Sequence, residues 1–204
     1  MTKSVSNVSE SKTTYIADPK FFSIEAYYRA EEKSLTKNEY HDGIIIPMAG
    51  AKLKHNRLAL KAAHLIESFV EEQNFDYIVS NSDTKIRVED FNKIVYPDAV
   101  VICEIPQYYK NREDTITNPL LVVEVLSDST SRHDRTTKFE YYRTLPSFKE
   151  YVLIYQDRHR VSVWTKQEDG AWLPKDYVGD ETTAVLHSLQ DCPLALARLY
   201  KGIN

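Results

Sequence analysis

Two acidic residues in apolar stretches are the residues of this chain best placed to do chemistry. Glu124 interrupts the run 120–126, in which all of the remaining residues are Leu or Val. Asp98 follows Pro97 and opens a second apolar run, 99–103. Such runs are typical of strands buried on both faces, where an ionised carboxylate is unfavourable unless a metal or a positive group accompanies it. The pair therefore predicts a metal site with oxygen ligands on adjacent strands.

Each of these acids also has a purely structural interpretation. A buried Arg or His would satisfy Glu124 without any metal. Asp98, coming directly after Pro97, would serve as a turn- or helix-capping residue. The two interpretations stay open at the level of sequence, although the two acids together favour a functional site over either acid alone.

The hydrophobic pattern predicts one mixed α/β domain, a β-sheet flanked by helices. Helices are predicted over residues 21–33, with Ser23 as N-cap, and over 52–73, 134–145 and 194–200. A hairpin is predicted within 38–50, turning at Asp42-Gly43. The remaining strands are predicted at 77–80, 85–88, 95–103, 120–126, 150–155, 160–165 and 172–177.

Bulk composition sets the class of protein. The chain has 204 residues and a formal net charge of −4, so any contact with phosphates needs a local basic patch. No apolar stretch is long enough to span a bilayer. Residues 1–19 are predicted to be a disordered tail without a secretory signal, and 20–204 the folded domain. Two widely separated cysteines suit reduced thiols and a cytoplasmic location.

Several motifs together resemble a known family. Pro97-Asp98 followed by Glu124-Val125-Leu126 resembles the PD-(D/E)XK nuclease motif, with Leu126 where the terminal Lys normally stands. The wider set is similar to the Uma-two family of restriction-endonuclease-like proteins. That set comprises residues 39–43, 48–51, 55–57, 123–127, 134–138 and 149–151. Ile44 and Asp128 depart from the family pattern, at positions where Glu and Pro are commoner.

The resemblance implies a restriction-endonuclease-like fold and a metal-dependent endodeoxyribonuclease. Asp98, Glu124 and the backbone carbonyl of Val125 would hold Mg²⁺, with Mn²⁺ as a substitute. Lys138, one turn into a predicted helix, would take the place of the missing lysine and act near the attacked phosphate. Glu39 would be an additional acidic residue of the site.

Two of these catalytic candidates have ordinary alternatives. A lysine in a charged helix is usually solvated, which would leave Lys138 far from the acids. Glu39 precedes a turn and would then only pair with a surface lysine.

Basic residues beside these motifs are candidates for contacts with DNA. They form two clusters, and the predicted nucleic-acid-binding residues are His55, Arg57, Arg132 and Arg135. As alternatives, His55 would be a satisfied histidine on the apolar face of its helix, and the arginines would be solvated helix ends.

The leading functional prediction is hydrolysis of DNA phosphodiester bonds. The alternative is a catalytically inactive nucleic-acid-binding or protein-interaction module that retains the nuclease fold, because fold alone does not determine chemistry. A metal-dependent hydrolase of another substrate is a third possibility. Cleavage of both strands of a duplex would require paired sites, which predicts a homodimer.

Overall fold

The computed structural model describes residues 21–103, 105–127 and 134–203. The helical elements are α1 (Ile24–Glu31), α2 (Leu53–Glu72), a π-helical turn (Asp134–Lys138) that runs directly into α3 (Phe139–Tyr142), and α4 (Leu196–Leu199), with 3-10 turns at Tyr109–Asn111 and His187–Leu189. The strands are β1 (Asn38–His41), β2 (Ile44–Pro47), β3 (Tyr77–Asn81), β4 (Lys85–Val88), β5 (Lys93–Val95), β6 (Ala99–Cys103), β7 (Thr115–Ile116), β8 (Leu121–Leu126), β9 (Glu150–Tyr155), β10 (Arg160–Lys166), β11 (Trp172–Val178), β12 (Thr183–Leu186) and β13 (Cys192–Ala195).

The described part of the chain forms a six-stranded sheet, a five-stranded sheet and a separate two-stranded hairpin. The larger sheet has the order β11-β10-β9-β8-β6-β3, and the smaller has the order β2-β1-β5-β4-β7. Strands β8 and β9 are parallel, as are β4 and β7, whereas the other pairs are antiparallel. The prediction of a mixed α/β domain with a sheet flanked by helices is confirmed.

Helix α2 covers one face of the larger sheet. Its buried residues recur every four positions, at Leu58, Ala62, Ile66 and Val70, so they form one apolar stripe along the helix. The stripe packs against alternate residues of β6 and β8, together with α4 and the β12–β13 hairpin. The first turn of α2 is thereby fixed beside the larger sheet.

The helical segment 134–142 covers the opposite face. Val122 and Leu126 of β8 pack there against Phe139 and Tyr142. Side chains alternate between the two faces of a strand, so Glu124, midway between Val122 and Leu126, belongs to this second face. The carboxylate is therefore buried beneath a helix rather than at the edge of the sheet.

Three predicted elements have different bounds in the structure. The predicted strand 95–103 is two strands in different sheets, β5 and β6, because Pro97 lacks the N–H that a continuous ladder requires. The predicted helix 134–145 ends at Tyr142, since Leu145 precedes Pro146 and is disfavoured in the α conformation. The final helix begins at residue 196 rather than 194, because the preceding residues form β13.

Two further sequence predictions concern the ends of the chain and membranes. The predicted tail, 1–19, lies outside the described residues. Across the described ranges, no helix combines the length and the apolar character that crossing a membrane would require.

Candidate active site

The break at Pro97 places Asp98 opposite Glu124. Ala99 pairs with Val123 in the antiparallel register of β6 and β8, and the Asp98 N–H donates to the Val123 carbonyl at 3.2 Å. The prediction that the two acidic motifs lie on adjacent strands is confirmed.

Protein donors hold the Asp98 carboxylate through one of its oxygens. Oδ2 accepts a hydrogen bond from the Val125 N–H at 2.7 Å and lies 3.2 Å from Nε2 of His55. His55 reaches it from the first turn of α2, and both side chains are less than one-fifth exposed. Among the described residues, no donor contacts Oδ1.

Glu124 is held in the same one-sided way. The residue is 3 % exposed, and its Oε1 accepts hydrogen bonds from Lys138 Nζ and from the Tyr142 hydroxyl, each at 3.1 Å. No donor within the described ranges reaches Oε2. The buried Arg or His that the structural alternative requires is absent from the described contacts of Glu124.

Lys138 is the centre of a buried ionic group, which we call the Lys138 cluster (Lys138, Glu39, Glu124 and Asp134). Its Nζ lies 3.1 Å from a Glu124 oxygen, 3.7 Å from a Glu39 oxygen and 3.8 Å from an Asp134 oxygen. It also donates to the Tyr96 carbonyl at 3.1 Å. At 7 % exposure this is no solvated lysine, so that alternative is wrong.

Glu39 enters the cluster from the smaller sheet. It lies in β1, is 8 % exposed, and contacts Nε2 of His41 at 2.8 Å. The Tyr96 N–H donates to its Oε1 at 3.3 Å. The alternative of a surface pair for Glu39 is therefore wrong.

Burial and surplus negative charge govern the electrostatics of the cluster. Burial raises the pKa of Glu124 well above its usual value, and the negative charges of Asp98 and Asp134 add to this against the opposing effect of Lys138. Burial acts to lower the pKa of Lys138, but Glu124, Glu39 and Asp134 outweigh it and raise that pKa. These neighbours therefore favour the protonated ammonium of Lys138, whereas burial and the adjacent acids disfavour the charged form of Glu124.

For Glu39 and His55, close partners of opposite charge outweigh the effect of burial on the pKa. Burial acts to raise the pKa of Glu39, yet His41 and Lys138 outweigh it and hold that pKa below its usual value. Burial likewise acts to lower the pKa of His55, and the hydrogen bond to Asp98 overcomes it, so the His55 pKa is raised.

The donor set available to a metal is small. Within 21–103, 105–127 and 134–203, no three His, Cys, Asp or Glu side chains converge closely enough to hold an ion. Mg²⁺ is commonly held by only one or two carboxylates and keeps several waters. The oxygens Asp98 Oδ1 and Glu124 Oε2 suit such a site, because each belongs to a carboxylate that protein donors orient through its other oxygen.

The predicted DNA-binding residues occupy different surroundings. His55 contacts Asp98, as described above. Arg57 is exposed and donates from Nη1 to the Gly202 carbonyl at 2.5 Å. Arg135 is exposed. The hydrogen bond from Ser162 and the charge of Arg160 lower the pKa of Asp176, and the charge of Arg135 adds to this effect. Arg132 lies outside the described residues, and DNA contact by all four stays a prediction.

Sequence reasoning missed some residues of the site. The helical spacing predicts one shared face for residues 134, 138, 141 and 142, but it did not identify Tyr142 as a partner of Glu124. The same spacing did not identify Asp134 as a partner of Lys138. The main chain of Tyr96 carried no sequence signal, because a peptide group is the same at every position.

The fold and the site define the class of protein to which the chain belongs. A mixed sheet flanked by helices, with acids on adjacent strands and a lysine beside them, forms a restriction-endonuclease-like core. A crystal structure described as "a putative nuclease belonging to DUF820 from Anabaena variabilis ATCC 29413" has the same fold, with a TM-score of 0.71. The similarity covers 90 % of this chain and 99 % of that one at 16 % identity.

Sequence comparison assigns the family. The Uma2 family profile, described as "Putative restriction endonuclease", matches residues 24–197, so the chain belongs to the Uma2 family. Two proteins of Synechocystis sp. (strain ATCC 27184 / PCC 6803 / Kazusa) are related to it. "Uncharacterized protein sll1609" is 35 % identical over 81 % of this chain and 92 % of its own length. "Uncharacterized protein slr1290" is 34 % identical over 75 % and 78 % respectively.

Proposed function

We propose that this protein is a metal-dependent endonuclease that hydrolyses DNA phosphodiester bonds. One observation carries the proposal: Asp98 and Glu124, on adjacent strands, each present one oxygen without a protein donor among the described residues, beside the Lys138 ammonium. Membership of the Uma2 family supports a nuclease function in general terms. The metal and the DNA substrate are parts of the proposal.

The negative surplus of the site supports binding of a cation. Several buried carboxylates surround one ammonium, and buried charges of one sign are unfavourable unless they are compensated. Asp98 and Glu124, with the backbone carbonyl of Val125, would hold Mg²⁺ or Mn²⁺. When bound, the cation supplies positive charge that offsets the charge of the scissile phosphate and favours deprotonation of water.

The side chains of the chain perform the remaining tasks. Lys138 would stabilise the negative charge that develops on the phosphate oxygens during in-line attack. Glu39 would keep the Lys138 ammonium in place from the side of the smaller sheet. Attack of water on phosphorus breaks the bond to the 3′ oxygen, leaving a 5′-phosphate and a 3′-hydroxyl.

The start of α2 has the charge and the shape to contact the DNA backbone. Lys52, Lys54 and Arg57 line a cavity of about 410 Å³ there, and α2 also brings His55 to Asp98. The first turn of α2 carries no acidic residue, and the N-terminus of a helix attracts anions. We assign DNA phosphate contacts to this region and to Arg135.

A homodimer is also part of the proposal, because cutting both strands of a duplex requires two sites. Strand β11 is an edge of the larger sheet and exposes Leu173 and Val178, which offers a surface for a second copy. Light scattering at micromolar concentration should give twice the mass of the chain. A strictly monomeric mass would contradict the dimer.

The decisive experiment is cleavage of supercoiled plasmid and linear duplex DNA in Mg²⁺, Mn²⁺ or EDTA. Cleavage should require the divalent ion, disappear in Asp98→Asn, and persist in Lys33→Ala, which removes an exposed lysine outside the proposed DNA-contact and dimer surfaces. Equal cleavage in EDTA would refute the metal dependence. DNA binding without cleavage under any condition would instead support an inactive binding module.

A further inference from the structure

Tyr142 is a buried residue with a polar contact to the site. It is the last residue of α3, is fully buried, and donates its hydroxyl to Oε1 of Glu124 at 3.1 Å. Its ring packs against Phe148 and Tyr151, with centroid distances of 5.7 and 5.8 Å. Because these contacts fix the ring, the hydroxyl has a fixed position relative to β8.

The hydroxyl shares its acceptor with the lysine. Lys138 Nζ also contacts Oε1 of Glu124, at the same distance of 3.1 Å, while the described residues offer no donor to Oε2. We propose that Tyr142 is a positioning residue: it fixes the rotation of the Glu124 carboxylate so that Oε2 stays available to a divalent cation. The proposal rests on the metal-dependent function proposed above.

The physical reason is competition between two cations for one carboxylate. The terminal torsion of a Glu side chain is broad, so the carboxylate plane turns easily unless a hydrogen bond fixes it. Lys138 is buried beside the carboxylate, and Glu124 is the nearest of its acidic partners. Without the Tyr142 hydroxyl, both oxygens of Glu124 are free to turn towards the ammonium, and Oε2 is no longer presented to the metal.

In metalloproteins generally, the hydrogen-bond partners of metal ligands influence both metal affinity and activity. Their removal typically weakens metal affinity or activity by about 10- to 100-fold. Tyr142→Phe removes only the hydroxyl and keeps the ring that packs in the core. We therefore expect this variant to bind a divalent cation at least about tenfold more weakly than the wild type.

The test is calorimetric titration with Mn²⁺ alone, without DNA. Tyr28→Phe is the matched control, because Tyr28 is also buried and its hydroxyl donates to the Thr115 side chain, outside the site. Wild type and Tyr28→Phe should bind Mn²⁺ equally, Tyr142→Phe should bind it more weakly, and Glu124→Gln should lose this binding. Thermal unfolding in EDTA should show similar stabilities for the two Tyr→Phe variants.

A double-mutant cycle separates positioning from general damage to the fold. If Tyr142 acts by keeping Glu124 from the ammonium, the loss of Mn²⁺ affinity caused by Tyr142→Phe should largely disappear in a Lys138→Ala background. An equal loss in both backgrounds would overturn the competition. The same cycle applies when Tyr142→Phe is less stable than its control, because the affinity of the folded fraction is compared.

The remaining outcomes are also decisive. Wild-type affinity in Tyr142→Phe would overturn the positioning role and leave the proposed nuclease function intact. Mn²⁺ binding that survives Glu124→Gln would place the ion elsewhere and overturn this role together with the Glu124 ligand. No binding of Mn²⁺ to the wild type would overturn both the positioning role and the metal dependence.

Discussion

Glu124 and Glu150 are buried carboxylates on the neighbouring parallel strands β8 and β9, but their surroundings are opposite. Both oxygens of Glu150 are satisfied: Oε1 by the Thr165 hydroxyl and the His187 N–H, and Oε2 by the N–H and hydroxyl of Ser188. Among the described residues, the donors to Glu124 contact Oε1 alone, and one of them is charged.

The difference separates a fully satisfied carboxylate from the one that we propose as a cation ligand. Glu150 anchors the 3-10 turn His187–Leu189 to the larger sheet through neutral donors, which leaves no oxygen for a ligand. Glu124, by contrast, has no donor to Oε2 among the residues that the structure describes, and further acids lie beside it. Burial of an acid therefore does not identify a site, whereas incomplete satisfaction of a buried acid does.

The largest effect should come from Glu124→Gln. Removing the charge that would hold the cation should lower DNA cleavage by about a thousandfold or more, the upper range for loss of an electrostatic group. Denaturant unfolding in EDTA should show no loss of stability, because surplus negative charge is removed. Cleavage near the wild-type rate would make Glu124 as structural as Glu150.

Lys138→Ala should have the next largest effect. Loss of a charge that acts mainly in the transition state should lower kcat about a hundredfold, with KM for DNA and Mn²⁺ affinity largely kept. Single-turnover cleavage at saturating metal measures this directly. A rise in KM at unchanged kcat would show that Lys138 binds substrate rather than assisting the reaction.

Glu150→Gln should affect stability and leave the chemistry intact. The amide cannot accept on both sides, so the backbone N–H of either His187 or Ser188 loses its acceptor, and the free energy of unfolding should fall by about 2 kcal/mol. Urea unfolding measures the loss, and cleavage per folded molecule should equal that of the wild type. A specific loss of cleavage would remove the contrast with Glu124.

The smallest effect concerns the pH dependence of stability. Burial raises the pKa of Glu150 above its usual value, although the hydrogen bonds from Ser188 and Thr165 oppose it. For a raised pKa, the contribution to stability is complete below the unfolded-state pKa and is lost as pH rises through the folded-state pKa. The stability difference between wild type and Glu150→Gln should therefore shrink from pH 4 to pH 7. A stability difference that grows from pH 4 to pH 7 would contradict the predicted direction of the pH dependence.

The sequence predicted the position of Lys138, but it did not predict the surroundings of the acidic residues. The position of Lys138 followed from its place one turn after a short loop, since that distance keeps it near the end of the Glu124 strand. The burial of Glu39 did not follow, because it depends on β1 docking beside Tyr96, a contact between residues far apart in sequence. Glu124 and Glu150 both lie in apolar strands, and only the donors around them, again distant in sequence, separate their roles.

Secondary structure was predictable where the pattern was regular. The stripe of α2 specified a helix within one residue at each end. Strands β12 and β13 were not predicted from the sequence, because each has only four residues and β13 contains a proline. Pro97 was visible in the sequence, but its effect of sending β5 and β6 to different sheets depends on tertiary packing.

The main chain of Tyr96 gives the site a property that no single side chain provides. Its N–H meets Glu39 and its carbonyl meets Lys138, at the point where the chain passes from the smaller sheet to the larger one. A local opening that parts the two sheets would remove Glu39 from the Lys138 cluster while each sheet kept its own ladder of hydrogen bonds. The complete cluster thus exists only when the two sheets are docked, and its integrity reports on that docking.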